Sequence, residues 1–177
     1  MTANLSAAAP FAAAQYDLRQ DTDCRADILL ATTAEPEAAF LGEQLARIDP
    51  WARLGATAGQ LSAFLSLSTG DKRCYTIFAD GAPAGAISVR FPWLSGPYLN
   101  LLAILPAYRR IGIGKAALNW METQAVMADA RNCWLCVSAF NGAAMAFYRR
   151  RGYMEAATLE GLIKDEEDEI LMRKRLG

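Results

Sequence analysis

The chain has 177 residues, of which 53% are hydrophobic and 21% are charged, as is typical of one globular domain and not of a disordered chain. Eighteen basic and nineteen acidic side chains leave a net charge of −1, so nucleic acid is excluded as an expected partner. The chain contains no histidine. This excludes serine or cysteine nucleophiles activated by histidine, and histidine-ligated zinc or haem.

The N-terminal residues 1–22 are predicted to form a loose tail, and residues 23–177 a single domain. The alanine-rich start lacks the basic region and the leucine-rich core of a signal peptide. No run of residues approaches the roughly 18 apolar residues of a membrane span. We therefore expect no membrane partner and a cytoplasmic protein.

The pattern along the chain predicts strands and helices that alternate after an early hairpin at Asp80-Gly81. Strands are predicted at 25–32, 74–79, 84–91, 98–105, 132–138, 153–158 and 169–174. Helices are predicted at 35–47, 58–67, 113–130 and 141–151. Segment 91–97 and the acidic run 164–169 are interpreted as loops. This order of elements predicts a mixed α/β sheet.

Four cysteines lie at Cys24, Cys74, Cys133 and Cys136, and the last two form a C-x-x-C pair. On a strand, residues three apart point to opposite faces, whereas a redox pair favours the start of a helix. A zinc site would require a second pair of ligands, which the sequence lacks. The prediction is therefore reduced, structural thiols and no metal site.

A glycine loop joins the 98–105 strand to the next helix, in the segment Arg109-Arg-Ile-Gly-Ile-Gly-Lys115. Gly112 and Gly114 would let the backbone approach a ligand closely. The start of a helix favours an anion, and Arg109, Arg110 and Lys115 add three positive charges. We therefore predict an anion-binding loop.

Two nucleotide-binding loops compete for this segment. A Walker loop fails, because Gly114-Lys115 is followed by Ala116. The Gly112-x-Gly114-x-x-Ala117 spacing satisfies the dinucleotide fingerprint, yet too few residues follow it for further βα units. The acidic residue expected roughly twenty positions later is also absent from a second strand. The sequence therefore gives only weak support to a small dinucleotide-binding protein.

The same loop matches every position of the acyl-CoA pattern Q/R-x-x-G-x-G/A. Further matches are the strand end Ile104-x-Pro106, the helix Asn141-Gly-Ala-Ala-Met-Ala-Phe-Tyr148, the stop Arg151-Gly152-Tyr153 and the closing strand 169–174. Over about residues 75 to 175 the sequence resembles the GNAT superfamily of N-acetyltransferases, nearest to its ribosomal-protein alanine acetyltransferase branch. The resemblance implies a mixed, mostly antiparallel sheet of six to seven strands with about four helices, in which the fourth and fifth strands splay apart.

The resemblance also implies acetyl-CoA as the acyl donor and a role for each matching residue. The backbone of Leu102, Ala103 and Ile104 would pair with the pantetheine arm. The residues that would wrap the pyrophosphate are Arg109, Arg110, Ile111, Gly112, Ile113, Gly114 and Lys115. Asn141 would contact the cofactor, cap its helix, or do both. Tyr148 would contact the cofactor and protonate the departing thiolate, the alternative being a tyrosine of the core.

The general base is where this chain departs from the branch that it resembles. A glutamate of that branch stands five residues before the asparagine, and here the position is Cys136. The amine must therefore lose its proton to water, to a backbone carbonyl or to a carboxylate from elsewhere in the chain. The acceptor pocket is predicted from Trp51, Phe91, Trp93, Tyr98, Asn100 and Ser138.

The leading hypothesis is an enzyme that transfers acetyl from acetyl-CoA to a primary amine by direct attack. An α-amine or another weakly basic amine is favoured, because deprotonating it at neutral pH costs less than deprotonating a lysine side chain. The acceptor is thus a small amine or the α-amine of a peptide. The alternative is a non-catalytic acyl-CoA-binding module that lacks a base. The resemblance also allows a homodimer.

Overall fold

The computed structural model describes residues 9–18 and 24–177, and residues 1–8 and 19–23 lie outside the described part. The strands are β1 (Gln15–Asp17), β2 (Ile28–Thr32), β3 (Lys72–Ala79), β4 (Ala82–Trp93), β5 (Gly96–Ile104), β6 (Asn132–Ser138), β7 (Met154–Lys164) and β8 (Glu167–Arg175). The helices are α1 (Glu35–Leu45), α2 (Trp51–Leu54), α3 (Ala58–Ser66), α4 (Ile113–Met127) and α5 (Gly142–Arg150). A 3-10 turn at Pro106–Tyr108 follows β5.

These strands form one open sheet in the order β1-β2-β3-β4-β5-β6-β8-β7. Only the β5–β6 pair is parallel, and the other six pairs are antiparallel. The predicted mixed, mostly antiparallel sheet is therefore confirmed. The described residues hold eight strands and five helices, against six to seven and about four expected. The additional elements are the short β1 and the single turn of α2.

β5 and β6 meet at one end and separate at the other. Their pairing is confined to Tyr98 with Trp134 and Leu99 with Leu135. At the closed end, a Cβ added to Gly96 would lie 1.8 Å from the carbonyl oxygen of Asn132, so only glycine allows this approach. Beyond Leu99 the strands share no pairs, which confirms the predicted splay and opens a cleft in the middle of the sheet.

Helices cover both faces of the sheet. On one face, α4 contributes Ile113, Leu118 and Met121 to a core shared with β2 to β6. On the other face, Leu41 of α1 and Leu65 of α3 pack against Ala86, Leu101 and Ala103 of β4 and β5. None of the helices in the described ranges is long and apolar enough to cross a membrane.

Part of the segment predicted as a loose tail is packed into the domain. Phe11 is 2% exposed and meets the Trp120 ring edge to face, with 5.5 Å between ring centroids. The Tyr75 hydroxyl donates to the carbonyl oxygen of Phe11 at 2.6 Å, and Gln15–Asp17 pairs with β2. The prediction is wrong for residues 9–18, because one buried aromatic and three strand residues are too short a pattern to stand out. Its remaining positions, 1–8 and 19–22, lie outside the described residues.

Two predicted loops are also wrong, because both are tight hairpins. β4 continues to Trp93 and β5 begins at Gly96, so the turn holds only Leu94 and Ser95, both with positive φ. In the acidic run, Asp165 and Glu166 make the turn, and Glu167 already belongs to β8. In both segments, cross-strand pairing overrides a composition that suggests a loop.

Candidate active site

The gap between β5 and β6 is a cleft of about 140 Å³, bordered also by α2, α5, β7 and β8. Its polar lining consists of Asn100, Cys136, Ser138, Asn141, Tyr148 and Glu169. Trp51, Leu54 and Ile163 supply much of its apolar lining. A larger depression of about 890 Å³ lies against β1 and β2, and it contains none of the predicted site residues.

Tyr148 lies on α5 and is 8% exposed, and it lines the cleft. Burial raises the pKa of its phenol, so the group is protonated at neutral pH. No hydrogen bond joins this hydroxyl to another described residue. The phenol is thus a proton donor that faces the cleft.

Asn141 caps α5 and also lines the cleft. Its Oδ1 accepts a hydrogen bond from the backbone N–H of Ala144 at 3.2 Å, as an N-cap residue should. The cap uses only the carbonyl side of the amide, so the Nδ2 group can donate to a ligand. Capping is therefore established, and contact with a cofactor stays a prediction.

The backbone of β5 presents alternate residues to the cleft. The Leu105 N–H bonds to β4, and the Ala103 carbonyl lies against Gly85 of the same strand. Because backbone groups alternate along a strand, Leu102 and Ile104 direct theirs towards β6. Ala103 therefore faces β4, which corrects the prediction that all three residues offer their backbone to the gap.

The glycine loop has the geometry expected of an anion site. Gly112, with φ of +99°, is the N-cap of α4 and has no side chain to bond to the first turn. The Ile111 carbonyl accepts from the Arg25 N–H at 3.0 Å and from the Cys24 thiol at 3.2 Å. These contacts attach the loop to the segment before β2. The first N–H groups of α4 have no acceptor within the helix, so they are available to an anion.

The other loop residues differ in their contacts and in their burial. Gly114 lies inside α4, and an added Cβ would make only ordinary contacts of 3.8 and 3.9 Å. Neither the backbone conformation nor the surrounding protein therefore requires glycine at position 114, and close approach of a ligand there stays a prediction. The Nε of Arg109 donates to the Ile104 carbonyl at 2.9 Å, which attaches the loop to the end of β5. Arg110 is exposed, Lys115 is half-buried, and Ile113 is buried at 1% exposure.

The predicted acceptor residues divide into two groups. Trp51, Asn100 and Ser138 line the cleft, and the Asn100 Nδ2 is a buried donor with no partner among the described residues. Phe91 and Trp93 do not line it. Tyr98 adjoins it, because its phenol interacts with the thiol of Cys136, which lines the cleft.

The side chains of Phe91, Trp93 and Tyr98 pack against other aromatic rings. The rings of Trp93 and Tyr98 lie 4.7 Å apart, and Trp134 contacts Trp93 at 5.5 Å. Phe91 packs on Phe11 at 5.6 Å. The acceptor prediction is corrected at Phe91 and Trp93, which pack away from the cleft. At Tyr98, which interacts with Cys136, it stays a prediction.

Sequence reasoning missed Glu169, which the structure places in the cleft at 3% exposure. The Ser138 hydroxyl donates to Glu169 Oε1 at 2.5 Å. Burial raises the pKa of this carboxyl, although the Ser138 hydrogen bond opposes the shift. The available signal was its position at the start of a hydrophobic strand, where a charged residue must lie at an edge or in a site.

The cysteines confirm the predicted alternation. All four are free thiols; Cys133 is fully buried in the core, and Cys136 lines the cleft on the opposite face of β6. Burial raises the pKa of the Cys136 thiol, so it is protonated at neutral pH and a weak nucleophile. Within residues 9–18 and 24–177, no group of three potential ligand side chains could hold a metal ion.

A splayed pair of parallel strands, an anion loop at a helix start and a protonated tyrosine in the cleft define an acyl-CoA-dependent acyltransferase. The acetyltransferase (GNAT) family matches residues 35–153, more than half of the chain. The chain therefore belongs to this family and is an acetyl-CoA-dependent N-acetyltransferase.

Individual relatives agree with this assignment. The chain is 30% identical to the ribosomal protein bS18-alanine N-acetyltransferase of Escherichia coli over 127 residues, which are 72% of this chain and 79% of that enzyme. The solved structure of the Escherichia coli enzyme superimposes with a TM-score of 0.67 at 22% identity, covering 85% of this chain and 94% of that one.

Two other proteins extend the comparison. An N-alpha-acetyltransferase of Sulfurisphaera tokodaii is 30% identical over 105 residues, which are 52% of this chain and 63% of that protein. The chain thus matches slightly less than two thirds of that relative's length. A PaiA N-acetyltransferase of Thermoplasma acidophilum, solved in complex with coenzyme A, shares the fold with a TM-score of 0.64 at 19% identity. That alignment covers 85% of this chain and 99% of the other.

Proposed function

We propose that this enzyme acetylates the α-amine of a peptide or protein N-terminus, by direct attack of the amine on acetyl-CoA. The observation that carries the proposal is the cleft between β5 and β6, in which a protonated tyrosine, a carboxylate and an unpartnered amide donor converge. An apolar wall borders these polar groups, and the predicted anion loop follows β5 along the chain.

The donor side of the cleft fits acetyl-CoA, which supplies the thioester carbonyl when it is bound. The N–H groups at the start of α4, together with Arg110 and Lys115, hold the pyrophosphate. The backbone of Leu102 and Ile104 faces the gap and binds the pantetheine amides. Asn141 adds a side-chain donor from the opposite wall.

Tyr148 acts as the general acid in this proposal. Its hydroxyl faces the cleft, is free of other described partners and remains protonated at neutral pH. A phenol can therefore give its proton to the coenzyme A thiolate as the bond from carbon to sulfur breaks.

The acceptor is assigned from the energetics of the amine and from the apolar wall. Deprotonating a lysine amine at pH 7 costs roughly 4.6 kcal/mol, against about 1–1.4 kcal/mol for an α-amine. Trp51, Leu54 and Ile163 form a small apolar wall beside the polar groups, which suits the first side chain of a peptide. Two relatives named above are an N-alpha-acetyltransferase and a ribosomal protein alanine N-acetyltransferase, which supports an α-amine acceptor.

Release of free coenzyme A thiol tests the proposal. The enzyme is given acetyl-CoA with either of two matched peptides, one with a free N-terminal alanine and no lysine, the other with a blocked N-terminus and one lysine. We expect a higher kcat/KM with the free α-amine. Faster transfer to the lysine side chain would contradict the proposed acceptor.

We also propose a cytoplasmic location, which the free thiols of Cys24, Cys74, Cys133 and Cys136 support. The homodimer that the sequence resemblance allowed stays a prediction. So does the exclusion of nucleic acid and membrane as partners.

A further inference from the structure

We propose that Glu169 is the general base of this enzyme and accepts a proton from the acceptor amine in the cleft. The inference rests on the proposed acetyl transfer and supplies the base that no residue of β5 or β6 provides. Within the described residues, the cleft is lined by a single carboxylate, that of Glu169.

The register of the sheet places this carboxylate in the cleft. Glu169 on β8 pairs directly with Ser138 on β6. Side chains of directly paired residues project from the same face of a sheet, and Ser138 in turn shares its face with Cys136, two residues before it. All three side chains line the cleft, so Glu169 reaches from the neighbouring strand into the volume beside Cys136.

Contacts hold the carboxylate in place without neutralising it. Ser138 donates to Oε1 at 2.5 Å, and no cation pairs with Glu169 among the described residues. The Arg53 guanidinium pairs with the neighbouring Glu167 instead, and donates two hydrogen bonds to its carboxylate at 2.7 and 3.3 Å. Glu169 therefore keeps its capacity to accept a proton.

The surroundings of Glu169 strengthen it as a proton acceptor. The titratable and charged groups on the elements around it are Tyr98 on β5, Cys136 on β6, Tyr148 on α5, Arg53 on α2, Lys164 on β7 and Glu167 on β8. Burial and the nearby Glu167 raise the pKa of Glu169, whereas the Ser138 hydrogen bond lowers it. The net effect is a pKa of Glu169 raised from the ordinary value of a carboxyl, which makes the carboxylate a better proton acceptor.

Glu169 and Tyr148 together account for every proton that moves in the reaction. Glu169 takes one proton from the ammonium form of the acceptor, and the neutral nitrogen then forms its bond to the thioester carbonyl carbon. As the bond from carbon to sulfur breaks, Tyr148 gives its proton to sulfur and recovers one from the acylated nitrogen. Glu169 passes its proton to water. The net products are the amide, the free thiol and one released proton.

Glu169→Gln tests the proposal, because glutamine keeps the size of the side chain and an oxygen that accepts from Ser138. We expect kcat to fall about 10²-fold or more, the usual contribution of a general base. The thermal shift produced by acetyl-CoA should remain as in wild type. In wild type we expect an acid limb of kcat/KM against pH that follows the ionisation of Glu169. In Glu169→Gln this limb should be replaced by one at the higher pKa of the free acceptor amine, because only the neutral amine can then react. The matched control is Glu166→Gln, at an exposed glutamate in the β7–β8 turn, which should leave rate and profile unchanged.

A rescue separates chemistry from folding. Cys136 shares the cleft face with Ser138, so Cys136→Glu in the Glu169→Gln background places a carboxylate back in the same volume. Partial recovery of the rate, with a restored acid limb, is the expected result. Glu169→Asp provides a second variant that keeps the acid limb at a lower rate, whether or not the Gln variant folds.

Two failures are distinguishable. If the wild-type enzyme binds acetyl-CoA and releases no thiol with any amine, the proposed function itself fails. Glu169 is not the base if wild type is active and Glu169→Gln keeps the wild-type rate and acid limb. The same conclusion follows if the acid limb of Glu169→Asp is that of the free amine and not one set by a carboxyl.

Discussion

Loss of the Tyr148 hydroxyl should separate catalysis from donor binding. Tyr148→Phe keeps the ring in the core and removes only the proton donor that faces the cleft. We expect kcat to fall about 10²-fold or more, with little change in the dissociation constant for acetyl-CoA. Thiol release and calorimetric titration measure the two quantities.

Tyr153→Phe is a suitable control for that variant, because Tyr153 is buried in the core and does not line the cleft. Its kcat should match that of wild type. Unchanged turnover in Tyr148→Phe would remove this residue from the mechanism.

Ser138 offers a second prediction at the same scale, since its hydroxyl donates to Glu169. That hydrogen bond stabilises the ionised carboxylate and lowers its pKa, so Ser138→Ala should raise the pKa. A base must be ionised to work, and the acid limb of kcat/KM therefore moves to higher pH in this variant. The full pH profile checks the sign, and an acid limb displaced to lower pH would contradict the assignment.

Among the structural elements, the loop that starts α4 controls donor binding. Gly112 has a positive φ at the helix start, where the pyrophosphate of the donor is proposed to lie. Gly112→Glu introduces backbone strain of about 1 kcal/mol and a negative charge against the anion. We expect the acetyl-CoA thermal shift to disappear.

The control for this loop is Gly81→Glu, in the β3–β4 turn, where φ is also positive and no atom lies near the added Cβ. Both variants lose similar stability, and only the Gly112 variant should lose the ligand. Titration with NAD at matched concentration should produce no shift with wild type. A shift with NAD alone would instead support a dinucleotide loop.

At the scale of the whole molecule, residues 9–18 contribute Phe11 to the hydrophobic core. Phe11 contacts both Trp120 and Phe91 and is almost fully buried. Phe11→Ala should therefore reduce the free energy of unfolding by about 3–5 kcal/mol, as for other buried aromatics. Urea denaturation measures the loss. The comparison is Phe40→Ala, at a side chain that is 43% exposed, where the loss should be much smaller.

Much of this fold could be predicted from the sequence, because short local patterns specify its elements. The loop of Gly112 and the helix from Asn141 to Tyr148 have short, specific patterns, and the structure places both where those patterns indicate. Glu169 and Phe11 were missed for a common reason. Each acquires its role from a partner far along the chain, Ser138 and Trp120 respectively, and no local pattern encodes such a pairing.

The direct pairing of Ser138 with Glu169 has a consequence for how such enzymes diverge. Two neighbouring strands project side chains into one volume, so a functional group can transfer from one strand to the other during evolution while the backbone stays the same. Position 136 alone, a cysteine, would then suggest a chain without a base and lead to its misclassification as an inactive homologue. A member of this family that lacks an acid at one position should therefore be classed as inactive only after the side chains that neighbouring strands project into the cleft have been compared.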